Sequence, residues 1–222
     1  MVALSPEVFV AARTHMVESQ LRPNKVTDQR LVEICGALPR ESFFPAELAA
    51  RAYTDENIRL GNGRSALPPM LVVRMIQSLQ IEAGEKVLVV GAGNGYGAAV
   101  LAKLGAKVTA LEPDAALTQI ARAGLAAQAP SVAQVAGPLE QGWAAGAPFD
   151  AIIVEGAADF VPEALVSQLA ANGRIALVRR DNMRVGTAAI GVRNAGGVSF
   201  VPKFDCAAPV LPGLAREAAF VF

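Results

Sequence analysis

Three features of this chain are placed where they could do chemistry. The stretch "KVLVVGAGNGYGAAV", residues 86–100, reads as a buried strand, a glycine-rich turn and the start of a helix. A turn of that kind lets part of a nucleotide approach the backbone, because few side chains stand in the way. In "KVTALEPD", Glu112 follows a second apolar run about twenty residues beyond Gly91, where a carboxylate can accept both hydroxyls of a ribose. Glu155 follows a further apolar run, "DAIIV", at the carboxyl end of a strand, where open α/β sheets gather ligands and reacting groups. The plainer alternative is a tight strand-to-helix turn with surface acids beside it.

The glycines admit two registers. The dinucleotide pattern G-x-G-x-x-G, begun at Gly91, meets Tyr96 in its third glycine slot; begun at Gly93, it starts two residues past the strand end. The register Gly91-x-Gly93-x-Gly95 starts where the strand stops and spaces its glycines every second residue. That pattern is associated with S-adenosylmethionine, which has no pyrophosphate to cradle, and it is favoured over a dinucleotide. Other constellations are weaker. His15, the sole histidine, lies in an apolar-rich helix and makes a Ser-His-Asp triad improbable. Tyr53-Thr54-Asp55 could border an acceptor cleft, with packing an equal role for Tyr53, and Trp143 reads as a core or lid residue.

The elements that must position these groups follow from the pattern around them. Ser5-Pro6-Glu7 signals a helix start, with a hydroxyl cap and proline at the first helical position, and that helix should run to about Leu21 before Pro23. Further helices are expected over 28–38 and from Pro45, then an ordered loop over 57–69 and a helix from Met70 to about Gln80. Apolar runs at 86–90, 107–111, 132–136 and 150–154 read as strands buried on both faces. Helices over 96–104 and 114–127 separate the first three, and an irregular stretch, 137–149, joins the third to the fourth. A helix over 161–170 then precedes a strand at 174–179. Such alternation implies a mostly parallel sheet with helices on both faces. The run "TAAIGVRNAGGVSFVPKF" reads as an antiparallel hairpin around Asn-Ala-Gly-Gly.

Composition narrows the function classes. The 222 residues are 53% hydrophobic but only 5% aromatic, so the core must rest on aliphatic side chains. Twenty basic and twenty acidic residues cancel, so no global field draws the chain to nucleic acid or anionic lipid. The cluster Arg179, Arg180 and Arg184 reads as a solvated turn, and Cys35 and Cys206 as reduced core thiols in no metal-like spacing. The first sixteen residues lack an early basic region and are broken by Pro6 and Glu7, so no signal peptide is expected, and no uncharged apolar run is long enough for a membrane span. The protein is expected to be soluble and cytoplasmic.

From about Met16 to Val178 the chain resembles the protein-L-isoaspartate O-methyltransferases. The resemblance is carried by "MVESQLRP", "LPRESFFP", "AYTDE", "LGNGR", "PPMLVVRM", "VLVVGAGNGYGAAVLAKL", "LEPD", "GWAAGAPFDAIIV" and "VPEALVSQLAANGRIALV". It implies one α/β domain over 1–222 with a Rossmann-like S-adenosylmethionine-dependent methyltransferase fold. Residues 1–80 would form an N-terminal helical layer with the substrate loop, 81–180 the cofactor-binding core, and 181–222 an antiparallel hairpin and tail. The implied activity is methyl transfer from S-adenosylmethionine to the carboxylate of isoaspartyl residues in damaged proteins, leaving S-adenosylhomocysteine. The implied cofactor residues are Gly91, Ala92, Gly93, Asn94, Gly95, Tyr96, Glu112, Pro113, Gly137, Pro138 and Leu139. Ser65 and Glu155, on the acceptor side, are the candidate catalytic residues, and the 61–69 loop would close over the acceptor. The protein would act as a monomer or homodimer, without metal, nucleic acid or membrane.

The departures from the family pattern sit near the chemistry. The family's Gly-Gln-Thr-Ile-Ser-Gln-Pro stretch is "GRSALPP" at 63–69, so Ser65 matches the threonine in kind and Leu67 takes the place of the active-site serine. Val89 and Pro138 stand where the family carries acids. A carboxylate acceptor has a reference pKa near 4 and is already ionised at neutral pH, so positioning matters more than a general base. Losing the serine removes one hydrogen bond to a charged group, about 1.5–3 kcal/mol. A non-catalytic binding protein that keeps the fold is therefore a second expectation. A third is a different acceptor, because Glu155 facing the site would repel a carboxylate and suit an amine or hydroxyl.

Overall fold

Proline at the first helical position starts the N-terminal layer, whose first elements are helical. The computed structural model describes residues 4–180 and 185–216. Helix α1 (Pro6–Met16) runs on through a π-helical turn, Val17–Leu21, and so ends at Leu21 as its pattern predicts. Ser5 holds the first turn through its carbonyl, which accepts from Val8 N and Phe9 N, rather than through its hydroxyl. Helix α2 (Gln29–Ala37) is capped by Asp28, whose side chain accepts from Arg30 N. A short 3-10 turn, Arg40–Phe43, leads to α3 (Ala46–Ala49).

The 57–69 stretch, expected as a loop, contains a two-stranded hairpin of β1 (Ile58–Gly61) and β2 (Arg64–Ala66). Strands of four and three residues are too short to show an alternating pattern, and the turn residues between them dominate the sequence signal. Gly61, Asn62 and Gly63 all have positive φ, which is why glycines flank the tip. Helix α4 (Pro69–Leu79) follows and buries Leu71, Val72, Met75, Ile76 and Leu79.

The alternating part comprises β3 (Lys86–Val90), α5 (Tyr96–Lys103), β4 (Lys107–Leu111), α6 (Ala115–Gln128), β5 (Ala133–Val135), β6 (Phe149–Ala158), α7 (Glu163–Ser167), β7 (Leu169–Arg179), β8 (Gly186–Asn194) and β9 (Gly197–Cys206). They form one sheet in the order β5-β4-β3-β6-β7-β8-β9, parallel from β5 to β7 and antiparallel through the final hairpin. Alternate residues of β3 feed two cores: Val87 and Val89 pack under α4 and α5, while Leu88 and Val90 join Phe149, Leu165 and Leu177 on the other face. The sheet is thus covered on both sides, as its continuous apolar runs predict.

Two boundaries differ from the sequence reading. The helix expected over 161–170 shrinks to α7, because β7 already starts at Leu169. The strand expected to stop at 154 continues to Ala158 through a register shift against β7 between Ile153 and Ala157. The basic cluster is not simply a solvated turn: Arg179 ends β7 with its guanidinium 5.1 Å from the Phe200 ring, and Arg180 pairs with Asp159 at 2.8 Å. Arg184 lies outside the described residues. Cys35 and Cys206 are free thiols; burial pushes Cys35 up to about 11, whereas Cys206 is only half-buried. Among the described residues no helix is long and apolar enough to cross a membrane.

Candidate active site

Strand β3 is paired with β4 on one side and β6 on the other, so a crevice for ligands is expected beyond the carboxyl ends of these strands. The glycine turn forms one wall. Gly91 N and Ala92 N both donate to Leu111 O, tying the turn to the end of β4. Gly91, Gly93 and Gly95 have φ of +73, +54 and +84°, conformations that explain glycine at all three positions. At Gly95 packing adds a second reason, since a Cβ there would lie 3.1 Å from Ala121 and Leu125 of α6.

Glu112, at the end of β4, is buried and fully engaged. Its Oε1 accepts from Arg64 Nη1 at 2.7 Å and from Asp114 N at 3.2 Å, and its Oε2 accepts from Arg64 Nη2 and Gly93 N, both at 2.9 Å. A carboxylate offers about four lone-pair sites, and here four donors use them. Arg64 Nη2 also reaches Gly91 O at 3.1 Å. The hairpin that carries Arg64 is tied at its tip as well, where Asn62 Nδ2 donates to Asp114 Oδ2 at 2.7 Å and, as the main cause, lowers the Asp114 pKa.

Leu211 completes the cover. After β9 the chain returns along β6, with Pro209 O accepting from Ala157 N and Leu211 N donating to Ala157 O. A Cβ added to Gly91 would lie 2.7 Å from Leu211 Cδ1, and one added to Gly156 would lie 2.5 Å from Leu211 Cγ. The gap remaining between Arg64, Ser65, Leu67, Glu155 and Leu211 has no room for a water molecule.

Glu155 lies within the irregular part of β6, which turns it inward, so it is neither a hydrated loop acid nor exposed to a wide cleft. Its Oε1 packs against Gly97, where an added Cβ would fall 1.8 Å from it. Burial, opposed by Arg40 and Arg64 and aided by Glu112, pushes this carboxyl up to about 8, so it carries its proton at neutral pH. Arg64 Nε, Asn94 Nδ2 and Glu155 Oε1 are among the buried side-chain atoms that have no hydrogen-bond partner among the described residues. Ser65, on β2, borders the same small gap. Leu67 is buried, and its carbonyl accepts from Arg40 Nη2.

The remaining expected residues are scattered in role. Val89 is core, Pro113 and Pro138 are exposed, and Leu139 is buried in the second core with Gly137 against Leu111. The Tyr96 ring belongs to the helical layer, 4.4 Å from the guanidinium of the buried Arg40 and edge-on to Phe43. Tyr53 lies there too, its hydroxyl accepting from Arg13 Nε and Arg40 N and donating to Glu41. His15 is exposed on α1. Two occupants of the crevice, Arg64 and Leu211, were not expected from sequence. A signal existed for Arg64, a cation between two turn-forming elements at the family's glutamine position; Leu211 had none.

The turn and Glu112 have the types and placement that an S-adenosylmethionine site needs, but in this arrangement the four acceptor positions of Glu112 are taken by protein donors, two of them from Arg64.

A doubly covered parallel sheet, a glycine turn after its first parallel strand and an acid after its second define a Rossmann-like fold of the methyltransferase type. Solved structures share it. A protein-L-isoaspartate O-methyltransferase superposes with a TM-score of 0.77 over 90% of this chain and 66% of its own, at 21% identity. A Plasmodium falciparum protein-L-isoaspartate O-methyltransferase, in complex with S-adenosyl-L-homocysteine, gives 0.79 over 93% and 99%, at 18% identity. The sequence model for protein-L-isoaspartate(D-aspartate) O-methyltransferase matches residues 11–202. A protein-L-isoaspartate O-methyltransferase of Methylorubrum populi is 44% identical over 205 residues, 86% of this chain and 94% of the relative. One of Methanoculleus marisnigri is 35% identical over 208 residues, 86% and 90% of the two chains. The chain belongs to the protein-L-isoaspartate(D-aspartate) O-methyltransferase family.

Proposed function

We propose that this protein is an S-adenosylmethionine-dependent O-methyltransferase that methylates the carboxylate of isoaspartyl residues in damaged proteins of the cytoplasm. The observation that carries this reading is the pairing of the Gly91–Gly95 turn with Glu112 at adjacent strand ends, in a chain of this family. Gly91, Gly93, Gly95 and Glu112 are the residues to hold the cofactor, and binding it requires Arg64 to leave Glu112. Ser65, at the edge of the gap, is the hydroxyl available to an acceptor carboxylate. The test is labelled methyl transfer to an isoaspartyl peptide beside its aspartyl twin. Base-labile label on the isoaspartyl peptide alone supports the reading, and no label on either removes it.

The saturated Glu112 favours a second reading, a family member that binds partners without catalysis, and Leu67, Val89 and Pro138 point the same way. Calorimetry with S-adenosylhomocysteine separates the two, because the second predicts no heat of binding at millimolar ligand.

A further inference from the structure

We infer that this protein carries an occupant of its own cofactor cleft: Arg64 binds Glu112 in place of a nucleoside sugar, so that the β1–β2 hairpin and the cofactor compete for one carboxylate. The inference rests on the cofactor assignment proposed above and adds the residue that controls it.

The geometry is that of a built lock. Arg64 makes a bidentate pair with Glu112, both side chains at most 5% exposed, and spends a third bond on Gly91 O, inside the turn itself. A guanidinium fork presents two parallel donors to a carboxylate, as the two vicinal hydroxyls of a ribose would. The second segment, Pro209–Leu211, is held by backbone bonds to Ala157 and seats Leu211 where Gly91 and Gly156 leave room. Two stretches far apart in sequence thus converge on the same few atoms of the turn.

The lock is also releasable. Arg64 Nε is buried with no partner among the described residues, so the closed state leaves one donor unsatisfied. An open cleft of about 440 Å³ adjoins the hairpin, lined by Arg59, Asn62, Arg64, Ser65 and Pro209, and gives the side chain a solvated place to go. At the hairpin tip the solvent-exposed Asn62–Asp114 bond has to break as well. Cofactor affinity then scales with the fraction of molecules whose hairpin is open.

The test is calorimetric binding of S-adenosylhomocysteine to the full chain as wild type, Arg64→Gln and Leu211→Ala, with hydrogen exchange at residues 58–66. Glutamine keeps one hydrogen bond to Glu112 but abolishes the charged fork. The expected result is binding at least tenfold tighter in Arg64→Gln, several-fold tighter in Leu211→Ala, and faster exchange of the wild-type hairpin when ligand is added. Equal or weaker binding by Arg64→Gln overturns the inference while leaving a methyltransferase intact. Should Arg64→Gln fail to fold, the Leu211→Ala affinity and the hairpin exchange decide in the same sense. Absence of binding in all three proteins overturns both the inference and the cofactor assignment. Tighter binding in the variants without methylation of an isoaspartyl peptide upholds the lock and removes the proposed acceptor.

Discussion

Glu112 and Glu155 are both buried glutamates near the carboxyl ends of β4 and β6, the parallel strands on either side of β3, yet they meet opposite surroundings. Glu112 follows directly on β4 and is met by a guanidinium fork and two backbone amides. Glu155 sits in the irregular part of β6, with its Oε1 against Gly97 and no hydrogen-bond partner among the described residues. Desolvation acts on both. Glu112 has matched donors on both oxygens; for Glu155 desolvation prevails over the charges of Arg40 and Arg64, and the group keeps its proton. Burial alone therefore does not mark a reactive acid. The partners that the fold delivers decide whether a carboxylate is a structural charge or a titrating one.

The comparison breaks most severely at the ion pair. Glu112→Ala leaves Arg64 as an uncompensated buried charge and should lower unfolding free energy by about 3–5 kcal/mol in urea denaturation. A loss below about 1 kcal/mol would mean that Arg64 readily reaches solvent.

Glu155 sharpens the contrast through pH. Its folded pKa is raised from 4.5 to about 8, so between those values the folded state holds a proton that the unfolded chain has released. Stability should therefore fall as pH rises from about 5 to 8, with a limiting slope near ~1.4 kcal/mol per unit, and level off above the folded pKa. Glu155→Gln should remove that slope and match the wild type at pH 4, measured by denaturation across the pH series. The charged neighbours are Arg40, Arg64 and Glu112. Arg40 loses nothing in this variant, because its guanidinium already donates to Ala52 O and Leu67 O and faces a neutral carboxyl at neutral pH.

A smaller effect tests the cover over the turn. Gly91→Ala forces a Cβ to 2.7 Å from Leu211 Cδ1 at a φ of +73°, and should cost about 1–3 kcal/mol. In a Leu211→Ala background the larger part of the steric cost should go, leaving about 1 kcal/mol of backbone strain and the closer approach to Arg64 Nη2, 3.2 Å from the added Cβ. A double-mutant cycle without coupling would show that Leu211 does not occupy this position in solution.

The sheet was legible because its information is local. Val87 to Val90 alternate between two cores, and that double burial appears in sequence as an unbroken apolar run. The turn glycines and Glu112 were legible because backbone conformation and strand ends restrict which residues fit. The β1–β2 hairpin was not, since seven strand residues around a glycine turn give too short a period to read. Glu155 was misjudged as following the strand because a register shift against β7 has no signature in β6 itself.

Taken by itself, the sequence determined a parallel sheet, a glycine turn, an acid one strand further on and membership in a methyltransferase family. Only the tertiary structure decided what Glu112 touches. Arg64 is separated from it by 48 positions and Leu211 approaches from the far end of the chain, and neither contact leaves a trace in local pattern. Propensity and periodicity act over neighbouring residues, whereas an ion pair or a packed leucine is selected by which surfaces the finished sheet brings within reach.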